Sequence, residues 1–290
     1  MDAASSVGYA ARPLPLFYAI SQAGRAIAAV HADDPWELSG HGLKHELRRP
    51  VFESIVKPNP GKADSFSSVC AALSQGALGK PVELGGLWAS LPDFWGIDLP
   101  GERWPRALRV LPPTIDFAAN LLSTTSVPAA ICGLPNHLFD GLSDEDSTNA
   151  LRSELARYPG AQDWEPSAAV PHPDEYRRHV NVQWRAESPG MRPHLLEQRA
   201  PQYRVRGQHW LRPMLNGSRD FLNPLMTWWA LLFGLSMLAR YHPAPWTHAL
   251  AIDESLVAMP LERSLDEALE AVPPLVLDAL RRETLQSPRA

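Results

Sequence analysis

The chain contains few cysteines and only one apolar segment of membrane-spanning length. Two cysteines, Cys70 and Cys132, occur among 290 residues and form no CxxC pair. A disulfide scaffold is therefore poorly supported, and a reducing compartment is expected. The first residues lack the basic and then apolar order of a secretory signal. The apolar segment 221–239 contains Asn223 and Pro224, so it is predicted as a buried helix rather than a membrane span. We expect a cytoplasmic protein that does not partner with a membrane.

The sequence also lacks the motifs of the commonest nucleotide-binding and hydrolase sites. No GxxxxGKS/T, GxGxxG or GxSxG pattern occurs, which argues against P-loop hydrolases, Rossmann enzymes and α/β-hydrolases. His41 and His45 are four residues apart and Glu46 is adjacent, a spacing that can bind zinc on a helix. Gly42 weakens a helix at this point, and no HExxH motif or cysteine cluster accompanies the pair. We predict no metal and no cofactor.

Charge is distributed unevenly along a chain that is acidic as a whole. The net charge is −5 and the pI is about 6.1, which argues against a dedicated nucleic-acid-binding protein. Residues 177–219 nevertheless contain nine Arg, no Lys and two acids, whereas acids outnumber bases from Asp253 onwards. This local excess of Arg makes the middle of the chain a candidate surface for anions.

Alternating polarity predicts how these arginines are displayed. Apolar residues alternate with polar ones over 180–185 and 203–206, which predicts two half-buried strands. Their outer face would carry Arg185, Arg204 and Arg206 as nucleic-acid-binding residues that contact phosphates. The alternative is a solvated face that pairs with the acidic C-terminal region. Three aromatic side chains of this region are candidates for stacking on bases: Trp184, Tyr203 and Trp210.

The apolar pattern predicts an α+β protein that is mainly helical. Apolar residues make up 45 % of the chain and include ten Trp, enough for a substantial core. Periodicity and turn signals place helices at both ends and short strands in a middle rich in proline and glycine. The predicted helices cover about 16–31, 65–78, 143–158, 225–240 and 275–282, and the predicted strands include 108–111 and 129–132.

Local signals predict where two of the helices start and where one stops. Ser143 with Asp146, and Ser264 with Glu267, have the spacing of capping pairs at helix N-termini. Two consecutive prolines at 273–274 are expected to end the helix that starts near Ser264. The economical architecture packs residues 1–80 and 220–290 together as a helical bundle, with residues 81–219 as a mixed strand and helix insertion. A two-domain arrangement is the alternative.

The first predicted helix carries a polar stripe on an otherwise apolar surface. Tyr18, Ser21, Gln22 and Arg25 are separated by three or four residues along the helix, apart from the adjacent pair Ser21 and Gln22, and together they fall on one side of it. Such a stripe is either a solvated face or a buried polar network.

Other polar residues of the terminal regions are candidates for the same site. His41 stands between two glycines, which predicts a turn that presents its imidazole. Arg240, Tyr241 and His242 follow the buried helix of the C-terminal region. They either cap that helix through its dipole or join Arg25 in a pocket for an anionic group.

Two stretches of the sequence form a distinctive pair. The first is Phe17–Ala29, FYAISQAGRAIAA, followed by Gly40–Leu43, GHGL. The second is Asn223–Tyr241, NPLMTWWALLFGLSMLARY, followed by Pro243 and Trp246. At this separation the pair resembles the bacterial YaaC-like proteins, and the resemblance extends in order over nearly the whole chain.

The resemblance implies a helical bundle similar to the HEPN superfamily of prokaryotic toxin, defence and RNA-processing systems. HEPN ribonucleases carry an Arg and then, after four to six residues, a His, and Arg25 and His31 have five residues between them. The family pattern would make His31 the proton carrier and Arg25 the group that stabilises charge on the phosphate. The sequence departs from that pattern at Ala26, where a polar residue is usual. On a regular helix the two residues lie about 120° apart, so they converge only if the helix ends before His31 or a second copy completes the site. A homodimer is expected by the same analogy.

The leading hypothesis is therefore a HEPN-related protein of a nucleic-acid-linked bacterial process, with anti-phage defence as the implied setting and metal-independent RNA cleavage as the implied activity. One alternative is a non-catalytic interaction or nucleic-acid-binding module that works with partner proteins. Another is a protein that binds a small anionic ligand between the terminal helices. The residues expected to support the site are Tyr18, Gln22, His41, Arg240, Tyr241 and His242.

Overall fold

The computed structural model describes residues 1–31, 37–101, 103–111, 126–170, 179–185, 199–203, 207–215 and 222–281. The chain divides into two compact units. The first comprises residues 1–88, 97–101 and 215–290, and the second comprises residues 89–96 and 102–214.

The α+β class predicted from the sequence is confirmed in the described residues. They form eight α-helices: α1 Asp2–Ser5, α2 Pro13–His31, α3 Ser65–Ala72, α4 Leu84–Ala89, α5 Asp144–Leu155, α6 Pro224–Tyr241, α7 Pro243–Ala249 and α8 Ala258–Arg281. They form nine strands: β1 Leu43–Glu46, β2 Ile55–Pro58, β3 Val82–Glu83, β4 Leu108–Leu111, β5 Ser126–Cys132, β6 Glu165–Val170, β7 His179–Arg185, β8 Gln202–Tyr203 and β9 Gln208–Leu211.

The first unit is built around α6, which is buried on nearly every side. Asn223 caps it by accepting a hydrogen bond from the Leu225 amide at 2.9 Å, and Pro224 occupies its first turn. Buried residues run from Leu225 to Ser236 without a gap, followed by buried Leu238. The predicted buried helix is thus confirmed. Within the described residues, no helix combines the length and the apolar character that crossing a membrane requires.

Helix α2 packs against α6 in the opposite direction. Its core-facing side carries Leu16, Ile20 and Ile27, and it begins at Pro13 because proline is tolerated in a first turn. Two contacts set the direction. The Phe17 ring lies 5.5 Å from the Phe233 ring, whereas Gly24 faces the indole of Trp229. Helices α2 and α6 therefore run antiparallel to each other.

Two smaller elements complete the helical unit. The start of the chain is tied to α8 by Asp266, which accepts hydrogen bonds from Arg12 at 2.5 Å and from the Tyr9 hydroxyl at 2.9 Å. Strands β1, β2 and β3 form an antiparallel sheet in that order. This sheet was not predicted from the sequence, because strands of two to four residues carry too little alternation to detect.

The second unit contains a six-stranded antiparallel sheet with the order β6-β7-β5-β4-β9-β8. One face carries the core of the unit, where Val110, Ile131 and Val180 lie in register and pack with Leu151 and Leu155 of α5. Ser143 caps α5 by accepting a hydrogen bond from the Asp146 amide at 3.2 Å, as predicted. The other face carries the residues between these positions, since successive side chains of a strand alternate.

The C-terminal helix differs from the prediction in two respects. The sequence predicts a break at Pro273 and Pro274, but α8 continues through both to Arg281. The buried apolar face of the helix outweighs the hydrogen bonds that the prolines cannot donate. The predicted capping box at Ser264 is also wrong. Ser264 lies inside α8, where its hydroxyl donates to the Pro260 carbonyl at 2.6 Å and accepts from the Trp88 indole at 2.8 Å.

Candidate functional site

The polar stripe of α2 is a solvated face. Tyr18, Gln22 and Arg25 are exposed, and the side chain of Tyr18 is 51 % accessible. Arg25 makes no ion pair and no hydrogen bond with any residue that the structure describes. The interpretation of this stripe as a buried polar network is therefore wrong, and Arg25 is a cation available to a partner.

Arg25 and His31 lie on different sides of the same helix. α2 is continuous through His31, so the helix does not end early enough for the two side chains to meet. His31 follows the buried Ile27 by four residues and is partly buried, which places it on the core-facing side. Arg25 follows the exposed Gln22 by three residues and shares its solvated side. A site that uses both residues therefore needs a second chain to supply one of them.

His41 lies beside the end of α2 that is distant from Arg25. The flanking glycines, Gly40 and Gly42, have positive φ values of 73° and 76°, so the predicted turn is present. The imidazole is exposed, and its centroid lies 5.4 Å from the ring of Phe17 and 5.9 Å from that of Phe233. His41 therefore covers the seam between α2 and α6 as an aromatic group.

The antiparallel packing separates Arg25 from Arg240. Gly24 faces Trp229, and Arg240 lies eleven residues further along α6, about 16 Å at a rise of 1.5 Å per residue. Arg240 and Tyr241 are both exposed, and the Arg240 guanidinium lies 5.1 Å from the centroid of the Tyr241 ring. The structure therefore does not bring Arg240 and Arg25 together in one pocket.

His242 meets a histidine of β1 instead. The ring centroids of His45 and His242 are 5.8 Å apart. Burial, followed by repulsion from His242, lowers the pKa of His45 to about 4, so His45 is neutral at physiological pH. Within the described chain, no group of three His, Cys, Asp or Glu side chains has the arrangement of a metal site. The sequence spacing of His41 and His45 could not reveal this pairing, because His242 lies at the far end of the chain.

The cysteines are structural. Both Cys70 and Cys132 are free thiols in buried positions. Burial, followed by the charge of Asp64, raises the pKa of the Cys70 thiol to about 12, which removes it as a nucleophile.

In the second unit, β7 displays the predicted polar face. Val180, Val182 and Trp184 are buried, whereas the residues between them and Arg185 at the strand end are exposed. Arg185 makes no ion pair with any described residue. Arg204 and Arg206 lie outside the described residues. The three aromatic residues predicted to stack on bases cannot do so, because their side chains are buried: Trp184, Tyr203 and Trp210.

Other arginines of the Arg-rich stretch have structural roles that the sequence did not reveal. Arg212 is buried near Asp93 and Tyr203, and the Tyr203 hydroxyl donates to the Asp93 carboxylate at 2.7 Å. Burial lowers the pKa of Arg212 to about 10, against the opposing effect of its two neighbours. Arg199 forms an ion pair with Asp163. Only some of the arginines that composition singles out are therefore available to a ligand.

The fold and the exposed cations define an α+β protein with a helical unit, a six-stranded sheet and arginines that face solvent. A family model described as YaaC-like Protein matches residues 1–280. The chain belongs to the YaaC-like family. No curated protein and no solved structure matches it.

Proposed function

We propose that this YaaC-like protein is a nucleic-acid-binding component of a bacterial multi-protein system, and that it binds through a row of exposed side chains on β7, namely Asn181, Gln183 and Arg185. The observation that supports this proposal is Arg185. It is exposed at the end of β7, has no acidic partner among the described residues, and follows two exposed amides, Asn181 and Gln183.

The neighbouring strand leaves this row accessible. Asn181 and Gln183 are directly opposite Ala130 and Pro128 of β5, small side chains that do not rise above the sheet. On β6, Gln183 is opposite Glu165, whose carboxylate is bound to Arg152 at 3.0 Å. The acid opposite Gln183 is thus already ion-paired, and among the described residues no acid pairs with Arg185.

The side chains of this row suit contacts to the phosphates and sugars of a nucleic acid better than recognition of its bases. An Arg guanidinium binds a phosphate through two parallel hydrogen bonds, and side-chain amides bind phosphate and sugar oxygens. Because Trp184, Tyr203 and Trp210 are buried, they supply no stacking platform for bases. We therefore expect weak sequence preference and strong dependence on salt. Arg204 and Arg206 lie outside the described residues and stay predicted phosphate contacts.

Fluorescence anisotropy with labelled single-stranded RNA and duplex DNA between about 50 and 200 mM salt tests the proposal. Arg185→Gln should weaken binding and reduce the slope of log K against log salt by about 1. Arg157→Gln is the matched control, because Arg157 is an exposed arginine of the same unit that is already paired with Glu154 of α5 at 3.1 Å. Unchanged binding by Arg185→Gln, or an equal loss in the control, would contradict the proposal.

A second candidate is a HEPN-related ribonuclease of an anti-phage system. It is favoured by Arg25, which is exposed and unpaired among the described residues, and it requires a homodimer that joins Arg25 of one chain to His31 of another. RNA cleavage in the presence of a chelator should disappear in Arg25→Ala and in His31→Ala. Mixing these two inactive proteins should restore part of the activity, because some dimers then contain one complete site. Equal cleavage by all proteins, or by none, would rule out this candidate.

The defence setting has its own test. Cells that express the protein should yield fewer phage plaques than cells that express Arg25→Ala, at matched protein levels. Equal plaque counts across a panel of phages would contradict that setting and leave nucleic-acid binding to be judged by the anisotropy measurement.

A further inference from the structure

A cavity lies in the helical unit, outside the surfaces considered above. It has a volume of about 350 Å³ and opens between the 3-10 turn Val51–Glu53, α7 and the residues that precede α8. Small-molecule sites typically measure about 300–1,000 Å³, and this cavity corresponds to about a dozen water molecules at liquid density. Every lining residue belongs to the first unit.

Most of the wall is apolar and held in place by the core. Val51, Pro245, Ala249 and Val257 line it, and Val51 and Ala249 are themselves buried. Helix α7 is anchored by Trp246, which is buried and donates its indole N–H to the Ala10 carbonyl at 2.9 Å. A wall fixed in this way needs little rearrangement to accept a ligand.

Two polar groups of the wall have unused hydrogen-bond donors. Arg49 forms no ion pair and no hydrogen bond with the residues that the structure describes. Ser255 accepts a hydrogen bond from the Val257 amide at 3.4 Å, and its own O–H donates to no described group. The third polar group, His248, is engaged, since its Nδ1 lies 3.2 Å from a carboxylate oxygen of Glu254.

We infer that this cavity binds a small organic carboxylate with an apolar body. The guanidinium of Arg49 and the hydroxyl of Ser255 would hold the carboxylate, and the apolar wall would enclose the body. Leu256, between two lining residues, is 84 % exposed, so apolar surface continues outside the cavity for a longer ligand. The site is independent of the proposed nucleic-acid face, which lies in the other unit.

Titration calorimetry of the full chain with hexanoate, acetate and 1-hexanol tests the inference. Hexanoate should bind with a Kd of about 1 mM or lower. Acetate has the charge without the body and 1-hexanol the body without the charge, so each should bind at least ~10-fold more weakly. Equal binding of acetate or of 1-hexanol, or no detectable binding of hexanoate, would overturn the inference.

Variants locate the binding. Arg49→Gln should weaken hexanoate binding at least ~10-fold, and Ala244→Trp should abolish it by filling the cavity. Arg48→Gln is the matched control, because Arg48 is adjacent in sequence but bound to Glu46 at 3.0 Å. Glu254→Gln should strengthen binding, since it removes the negative charge beside the lining residue His248. Hexanoate binding that Arg49→Gln and Ala244→Trp leave unchanged, in variants that unfold at the wild-type temperature, would refute the assignment.

Discussion

The contact between Gly24 and Trp229 fixes how α2 and α6 meet, and Gly24→Ala tests it. A Cβ added at Gly24 would lie 2.1 and 2.3 Å from two atoms of the six-membered ring of Trp229. Trp229 is only 1 % exposed and is also packed edge-on against Phe66 at 6.4 Å, so its ring has little room to move. On the other side, Val69 approaches the same Cβ position to 3.2 Å.

Two opposing effects set the size of the change. Replacing glycine by alanine in a helix favours folding by about 1 kcal/mol. Overpacking a rigid core opposes folding by about 1–3 kcal/mol. The added Cβ would lie more than 1 Å closer to Trp229 than an ordinary van der Waals contact, so the cost is expected at the upper end of that range. We expect a net loss of about 2 kcal/mol, which lowers the melting temperature by about 4–8 °C.

Differential scanning calorimetry measures this shift, and two other glycines provide the controls. Gly76→Ala should change little, because no atom lies within 4 Å of its added Cβ. Gly234→Ala in α6 should cost less than Gly24→Ala, because the Cβ meets the flexible end of Leu84 at 2.4 Å. The two units can melt separately, so the shift is expected in the transition of the helical unit.

A double-mutant cycle separates the contact from a general effect of alanine. Trp229→Phe removes the ring atoms that the new Cβ would meet, so Gly24→Ala should cost about 1–2 kcal/mol less in that background. Additive effects, or a Gly24→Ala protein more stable than wild type, would refute the antiparallel pairing. The separation of Arg25 from Arg240 would then lose its basis.

Three further predictions concern individual residues. Because the pKa of His45 falls from about 6.5 in the unfolded chain to about 4 in the folded one, its stabilisation is complete above pH 6.5 and is lost as the pH falls to 4. After allowance for its partial exposure, we expect a loss of about 1 kcal/mol, measured by urea unfolding, absent in His45→Gln and retained in the exposed control His248→Gln. Asp64→Ala should cost about 1–2 kcal/mol in the same assay, because the buried carboxylate accepts hydrogen bonds from the amides of Ser67 and Gly61 at 2.8 and 2.9 Å; a change below 0.5 kcal/mol would contradict the cap. Pro274→Ala should raise stability by about 2 kcal/mol, since alanine restores a helical hydrogen bond inside α8, and a loss of stability would show that the helix depends on the proline.

The periodicity of apolar residues predicted the helices and strands that have one buried side and one exposed side. In β7, the alternation of Val180, Val182 and Trp184 with polar residues corresponds to the burial seen in the sheet. The apolar face of α2 was predicted for the same reason. The break expected at Pro273 and Pro274 fails because local propensity is a weak prior when a helix buries an apolar face, as α8 does from Ala258 to Val272 and again at Ala279.

The candidate site was less predictable, because it depends on the relative direction of α2 and α6 as well as on which side of each helix is buried. A 3.6-residue period states which side of a helix is buried, but it is the same when the helix is reversed. Whether Arg25 lies near Arg240 is decided by the relative direction of α2 and α6, and a long intervening chain permits either direction. The one sequence feature that records the direction is the match of a small residue, Gly24, to a large one, Trp229. Such a match can be recognised only once the two helices are known to be neighbours, so exposure of the polar stripe and the meeting of His45 with His242 follow from tertiary packing alone.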